Sequence, residues 1–520
     1  MKSKKRISLN MPKTAFLRPT AAFAVFLLAS PALADLTVDE AWQTWQAQFR
    51  AMGVGFEASE SRKGDALQIG DITLSVTLPA GAGQGAVTFS GPRFKPLGDG
   101  RVQVIFPDSV TATISGAVRE EPDQDPRTFL IELQTSSQNQ SGIMSGSPER
   151  VVSEWISQGA EASLTKVVLD GVPVKANGTM SFGPYTYNST TTDGENLTIE
   201  AKSKFSHYGI VYDVEFPEGG VLENSNHAEQ AETTQRMVLP KDGLDFLTLH
   251  NQLREGLEIY FDATAASGTS TQNTYDGDKP LTRQNMTVND YRAELALDAD
   301  GLGYDASIGP FTLDVQAPGL FVPLSFASQG VAGALKMPVL ATEETKDARF
   351  LMSVLDLEMN QDVWATFDPE AQLPRDPMTV TIDLAGKLKV LTDLVDFAAL
   401  SETAGKIAPI QPAALEIRKV LLSAVGASLT GDGAFTFDAS DTESFGGMPR
   451  PEGRVELGLT GANTLLDTLV SMGLLPEDQA MGARMMMGLF ATPGQGEDTL
   501  NSTIEVNEQG HVLANGQRLK

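Results

Sequence analysis

The chain has few side chains that could carry out nucleophilic, acid–base or metal chemistry. It has no cysteine, which excludes thiolate catalysis, disulfides and cysteine-bound metal. Its four histidines are widely spaced, and no pair matches a metal-binding pattern such as H-E-x-x-H. They are His207, His227, His250 and His511.

A serine nucleophile would need both a histidine base and a strained Gly-x-Ser-x-Gly turn. The nearest match, residues 426–430, has Thr430 where the second glycine must stand. Each histidine also stands alone in the sequence. We therefore predict no catalytic residues, no cofactor-binding residues, no cofactor and no metal site.

Acidic residues leave two alternatives open. The 67 Asp and Glu side chains include two clusters, at residues 276–278 and 298–301, that could hold calcium through oxygen atoms. Neither cluster has the EF-hand spacing, and Asp-Gly pairs are typical of turns. Paired carboxylates for glycoside cleavage are compatible with this composition, but no pair is singled out. A calcium-dependent adhesion protein and an acid-pair hydrolase therefore remain alternatives.

Methionine is concentrated near the C-terminus, in two short helical runs at residues 463–472 and 476–490. Flexible, polarisable methionine side chains suit a surface that accommodates varied apolar partners. These runs therefore either cover the sheet or form a lid that contacts an apolar ligand. The residues predicted for such a lid are Leu466, Leu469, Val470, Met472, Met481, Met485, Met486 and Leu489.

The elements that would position this segment are mostly amphipathic strands. Apolar residues alternate along much of the chain, and the run at residues 197–216 is long for one strand. Thr37, followed by Asp39 and Glu40, predicts a helix that ends at Gly53. We predict a mainly β fold: long, curved antiparallel sheets of amphipathic strands with a few covering helices, including a C-terminal helical hairpin.

Several polar stretches lack this alternation. Residues 120–127, 135–150 and 217–234 are rich in turn-forming residues, and we expect loops or linkers there. Residues 431–433 (Gly-Asp-Gly) predict the turn of a hairpin, with a strand after it.

The N-terminus has the pattern of a cleaved signal peptide. A basic leader precedes a short apolar run at residues 21–29. Small residues then occupy the two positions that a signal peptidase recognises, the second of which is Ala34. Either Met1 or Met11 could be the true start. We expect cleavage after Ala34 and a periplasmic location, with no transmembrane span after cleavage. The predicted division is residues 1–34 as signal peptide, 35–240 and 241–410 as two related halves that each begin with a helix, and 411–520 as the C-terminal unit.

The charge balance restricts the partners. The formal net charge is −28, and removal of the six basic residues of the leader makes it about −34. Such an acidic surface argues against nucleic acid as a partner. It leaves binding of a lipid or another apolar ligand, or of envelope proteins, as the expected interactions.

Both ends of the chain resemble one bacterial protein family. The motifs are LTVDEAWQTWQAQFRAMG at residues 36–53, GRVELGLTGANTLLDTLVSMGLLP at 453–476, GARMMMGLFATPGQGEDTLNSTIEV at 482–506 and GHVLANGQRL at 510–519. They resemble the family called domain of unknown function 2125 (DUF2125), for which no activity or catalytic residue is established. The repeated amphipathic strands are also similar to exported proteins of the AsmA and YdgA type. That similarity implies elongated sheets with an apolar groove and a role in the cell envelope.

These observations favour an exported, non-enzymatic protein that binds lipid or another apolar ligand, or that acts as a scaffold in the envelope.

Overall fold

One antiparallel sheet contains the 29 strands of the described chain. The computed structural model describes residues 35–78, 81–119, 124–216, 219–403 and 408–519. Strands make up 62% of the structure and helices 12%, which confirms the predicted β-rich class. The predicted signal peptide and part of the predicted loop at 120–127 lie outside the described residues.

The first fourteen strands are β1 (Gly55–Lys63), β2 (Ala66–Leu78), β3 (Gly83–Ser90), β4 (Arg93–Pro96), β5 (Val102–Ile105), β6 (Ser109–Val118), β7 (Arg127–Gln138), β8 (Ser141–Ser147), β9 (Arg150–Ser157), β10 (Gly159–Leu169), β11 (Val172–Phe182), β12 (Tyr185–Asp193), β13 (Leu197–Glu215) and β14 (Gly220–Leu239). The others are β15 (Glu258–Asp276), β16 (Lys279–Asp298), β17 (Gly301–Ile308), β18 (Phe311–Gln316), β19 (Leu324–Ser328), β20 (Gly330–Met337), β21 (Lys346–Met359), β22 (Met378–Val390), β23 (Ile410–Ala424), β24 (Ala427–Asp438), β25 (Arg450–Thr460), β26 (Thr492–Pro493), β27 (Thr499–Val506), β28 (Val512–Ala514) and β29 (Gln517–Arg518).

The strands form a meander of long rows, in which each row pairs with the next one along the chain. A row is one long strand, such as β13, or two shorter strands placed end to end, such as β11 followed by β12. Both β11 and β12 pair with β13, which then pairs with β14, and β14 with β15. Consecutive antiparallel rows need only short connections, and this explains why so long a chain can build one sheet.

The pairing registers give the sheet two distinct faces. Directly opposite residues on neighbouring strands point to the same face. One such line runs through Leu335, Phe350 and Leu384 to Ile417. We call the face that carries these side chains the apolar face. The other face, the charged face, carries cross-strand ion pairs such as Arg292–Asp262 at 3.1 Å.

A line of breaks crosses the rows, and from β13 to β16 the pairing register is the same on both sides of it. In β14, Ala228 and Ala231 are both buried, although the exposed Glu229 and Gln230 lie between them. A strict alternation would put these two alanines on opposite faces. Gln230 adopts a positive φ of 53°, which switches the alternation so that both alanines point to the apolar face. The same line passes the Gly-Pro steps at residues 91–92, 183–184 and 309–310.

The six helices of the described residues are α1 (Val38–Ala51), α2 (Leu249–Arg254), α3 (Gln361–Phe367), α4 (Phe397–Thr403), α5 (Ala462–Ser471) and α6 (Glu477–Phe490). Helix α1 begins as predicted, because Thr37 and Glu40 form a reciprocal capping box. Its Trp42 and Ala41 pack into a core with Leu67, Ile69 and Phe94 at one end of the first rows. A second core joins the end of α1 to α2 and to Val339 and Leu340.

Three of the local predictions were wrong. Residues 135–150, expected to be a loop, belong mainly to β7 and β8, and residues 217–234 include much of β14. The 431–433 segment is not a turn, since β24 runs through it, and the hairpin turns instead at Val425 and Gly426. In each case polar and small residues occupy strands because the neighbouring rows supply the hydrogen bonds that the strand backbone needs.

Candidate functional site

The apolar face is the most extensive feature that could bind a ligand. Many of its large side chains are 37–58% exposed. They are Val76, Leu78, Val118, Leu169, Val172, Met180, Phe261, Tyr291, Leu295, Tyr304, Leu335, Phe350, Met352 and Leu422. Exposed apolar area on this scale is unusual for a surface that meets only water.

Helix α1 covers one end of this face and encloses a hollow there. A cavity of about 390 Å³ lies between α1 and strands β9, β12 and β13, with Trp45, Trp155 and Phe205 in its wall. A second cavity, of about 300 Å³, continues along the face past Val110, Ala162 and Phe182. Both cavities are lined by Phe106, Gln140 and Tyr185, so they adjoin each other, and we call the two together the α1 hollow.

The α1 hollow is built mainly from aromatic side chains. Trp45 contacts Phe94, Phe106 and Trp155, with ring centroids 5.5–6.0 Å apart. Trp42 is buried below it, and its indole nitrogen donates to Glu60 at 2.6 Å. These contacts fix α1 on the sheet and leave an apolar wall of the size found in small-molecule sites.

The apolar face carries no ionised side chain in the interior of its described strands, from β2 to β27. Every position that shares the face by register is apolar, small or neutral and polar. Carboxylates and basic groups occupy the alternate positions on the charged face, where Arg236 pairs with Glu200 at 2.6 Å and with Glu258 at 3.0 Å. This segregation keeps the −28 net charge away from the apolar face.

Amide side chains interrupt the apolar face on three adjacent strands, β14, β15 and β16. Asn224, Gln272 and Gln284 are directly opposite one another in register. In the next line, Asn226 lies opposite Ser270 and donates to the side-chain oxygen of Asn224. We call these five residues the amide patch. Asn224 is only 8% exposed.

Tyrosine hydroxyls lie near the amide patch. Tyr208, on β13, is opposite Ala228 of β14, and Tyr291 stands on β16 just beyond the line of breaks. Partial burial raises the pKa of Tyr291, and the neighbouring Tyr304 and Tyr208 raise it further. This hydroxyl therefore stays protonated and neutral, able to donate and accept hydrogen bonds.

The predicted lid residues lie on α5 and α6, at the end of the sheet opposite α1. Met481, Met485, Met486 and Leu489 are 50–72% exposed, and Leu466, Leu469, Val470 and Met472 are half-buried. Asp467 of α5 forms an ion pair with Arg484 of α6. Among the residues of α6, all of which are described, only Ala480 is buried, so this helix presents its apolar stripe outward.

Two histidines that stand apart in the sequence lie together in the structure. The rings of His207 and His227 are 5.6 Å apart on the charged face, and His227 Nε2 lies 2.7 Å from Glu229 Oε1. The prediction that each histidine stands alone was therefore wrong for this pair. Antiparallel pairing of β13 with β14 places them side by side, which sequence spacing does not reveal. His250 lies 3.8 Å from Asp396.

The acidic clusters lie in tight turns. The side chain of Asp298 accepts from the backbone N–H of Asp300 at 2.7 Å, and Lys346 pairs with Asp300 at 2.7 Å. Residues 276–278 connect β15 to β16, with Gly277 at φ 57°. Among the described residues, no three His, Asp or Glu side chains are grouped so that they could hold a metal ion.

Comparison with known proteins identifies the family. Residues 250–516, which are just over half of the chain, match the family model described as an uncharacterized protein conserved in bacteria (DUF2125). The chain belongs to this family. The DUF2125 match begins within α2 and ends in the turn between β28 and β29, so it includes α5, α6 and the β15 and β16 part of the amide patch. No curated protein and no solved structure matches the chain.

None of the helices in the described part of the chain is long and apolar enough to cross a membrane.

Neither the α1 hollow nor the amide patch was predicted from the sequence. Two short repeats could have indicated the line of breaks. Ser-Gln-Gly occurs at residues 157–159 and 328–330, and Gly-Pro occurs at the three breaks described above. No sequence motif indicates the amide patch. Its residues come from three different strands, and each stands in a segment where polar residues are common.

Proposed function

We propose that this DUF2125 protein is an exported, periplasmic, non-enzymatic carrier that binds acyl-chain lipids along its apolar face. The observation that carries this proposal is the continuity of that face. Row after row presents exposed large hydrophobic side chains, and ionised groups are kept on the other face. At about 25 cal/mol for each Å² of apolar area buried, even part of one acyl chain would gain several kcal/mol.

In this proposal the sheet curves so that the apolar face is concave. The α1 hollow would hold the end of a chain, and α5 and α6 would cover the opposite end as a lid.

The experiment is native mass spectrometry of the gently purified chain, followed by titration with a fluorescent fatty acid. We expect bound lipid and saturable uptake. Ala162→Trp should lower the uptake, because Ala162 lines the α1 hollow. The matched control is Ser163→Trp, which places the same bulk on the next residue of β10 and on the charged face.

A preparation without bound lipid that also takes up no fatty acid would contradict the proposal. Equal uptake by both tryptophan variants would show that the acyl chain of the fatty acid does not bind in the α1 hollow.

A further inference from the structure

The amide patch indicates which kind of lipid the apolar face accepts. All the amide side chains on this face, within the described strands, lie on β14, β15 and β16. They are Asn224, Asn226, Gln235, Gln272 and Gln284. A surface that only needed solubility would scatter such groups along the rows. Four of them belong to the amide patch, and Gln235 lies nine residues from Asn226 along β14, beyond the line of breaks. The amide patch is therefore one polar region between two apolar stretches of the face.

The amide patch has apolar neighbours on both sides. On one side, Ile210 of β13 is opposite Asn226, and Met180 of β11 is opposite Ile210. On the other side, Met286 of β16 is opposite Ser270, and Leu313 of β18 is opposite Met286. Acyl chains could therefore lie to either side of a polar group that is held at the amide patch.

The chemistry of the patch favours an uncharged group. Amides and hydroxyls both donate and accept hydrogen bonds but carry no charge to neutralise a phosphate or an ammonium. From β2 to β27, no Lys or Arg shares the face in the interior of a described strand, and the chain as a whole has a net charge of −28. An anionic head group would lose its hydration here without gaining a counter-charge.

The patch is also partly pre-organised. Asn224 is 92% buried, and Asn226 donates a hydrogen bond to its side-chain oxygen. Gln272 and Gln284 are exposed, and they are directly opposite each other. A fixed pair of asparagines beside two adaptable glutamines can satisfy several oxygens of one ligand.

We propose that the amide patch binds the neutral head of a lipid, an ester, hydroxyl or amide group, and that the protein selects such lipids over anionic ones. This inference rests on the proposed function, because the acyl chains of the lipid must bind the apolar face. The ligand class is a neutral amphiphile with at least one acyl chain.

The test compares dioleoylglycerol with dioleoylphosphatidic acid, which has the same chains and an anionic head. We expect the full chain to bind dioleoylglycerol at least about tenfold more tightly in native mass spectrometry, the effect of one to two hydrogen bonds. In Gln272→Leu/Gln284→Leu, this preference should fall about tenfold while fluorescent fatty acid still binds. The matched control is Thr271→Leu/Asn285→Leu, a directly opposite pair on the charged face of the same two strands, and it should keep the preference.

A preference for dioleoylphosphatidic acid, or a preference that survives in the glutamine variant, would overturn the head-group site and leave the carrier function intact. Failure of the unmodified chain to bind either lipid or the fatty acid would overturn the carrier function itself.

Discussion

Ser157 and Ser328 make the same hydrogen bonds in two distant rows of the sheet. The Ser157 hydroxyl lies 2.8 Å from the carbonyl oxygen of Gly159 and 3.1 Å from that of Gln138, and it accepts from the Gly159 N–H at 3.2 Å. The Ser328 hydroxyl lies 3.2 Å from the Gly330 carbonyl and 2.6 Å from the Leu355 carbonyl, with the Gly330 N–H at 3.1 Å.

Each serine sits where its row crosses the line of breaks. A break leaves backbone groups without their usual partners, and a buried hydroxyl can satisfy a donor and an acceptor together. The Ser-Gln-Gly motif therefore stabilises a switch in alternation that keeps apolar side chains on one face.

Replacing either serine should destabilise the fold. Ser328→Ala leaves the Gly330 N–H and the Leu355 carbonyl without a side-chain partner, and we expect the free energy of unfolding to fall by about 1–3 kcal/mol. Chemical denaturation measures it. Ser163→Ala, at a half-buried serine whose hydroxyl bonds only to Glu161, should change the value by less than about 0.5 kcal/mol. An equally small effect at Ser328 would argue against this role.

Charge should be tolerated on one face of the sheet and not on the other. Met180, on the apolar face, is 38% exposed, and Ile156, on the charged face, is 52% exposed. We expect Met180→Glu to weaken fatty acid binding about tenfold or more, since a carboxylate beside an acyl chain must lose water. Ile156→Glu should bind normally, and both variants should unfold near the temperature of the unmodified chain. Equal binding by the two variants would mean that ligands do not use this face.

The methionine stripe of α6 should affect ligand release more than stability. Met481, Met485 and Leu489 are at least 50% exposed, so changing all three to serine should leave the melting temperature nearly unchanged. If α6 closes over the ligand, the rate of fatty acid release in stopped-flow fluorescence should rise several-fold. Glu477→Ser/Gln479→Ser on the same helix provides the control. An unchanged release rate would remove the lid from the proposal.

Asp438 should make folding sensitive to acid. Hydrogen bonds from the hydroxyl and backbone N–H of Ser440, and then from Arg450, lower the pKa of Asp438 to about 2. A folded-state pKa below the usual value of 3.8 stabilises the fold above that pH, and this contribution disappears as the pH falls toward 2.

The Asp438→Asn variant tests that pH dependence. We expect it to be less stable than the unmodified chain at pH 6, with a difference that shrinks between pH 4 and pH 2. Urea unfolding at several pH values measures this difference, and Asp432→Asn on the same strand is the control. A constant difference over the whole range would show that the charge of Asp438 does not matter.

Much of the local structure could be predicted from the residues. The capping box of Thr37 and Glu40, the two helical runs near the C-terminus and the final Asn515-Gly516 turn depend on contacts between near neighbours, and all are present. The β-rich class followed from alternation with a period of two, which needs no knowledge of partners. The predictions failed at residues 135–150 and 217–234, where strands are made of polar and small residues whose pairing energy comes from other rows.

The candidate site depended on distant pairing. Gln272 and Gln284 are paired across one hairpin, but Asn224 belongs to β14, which ends before α2. Trp45 contacts Trp155 although eight strands separate the two residues in the sequence. The sequence by itself determined that this protein is acidic, free of cysteine and built of amphipathic strands, because composition and alternation are local properties. The tertiary structure alone decided that these strands join one apolar face with a hollow and an amide patch, because register and the switches at the line of breaks determine which side chains meet.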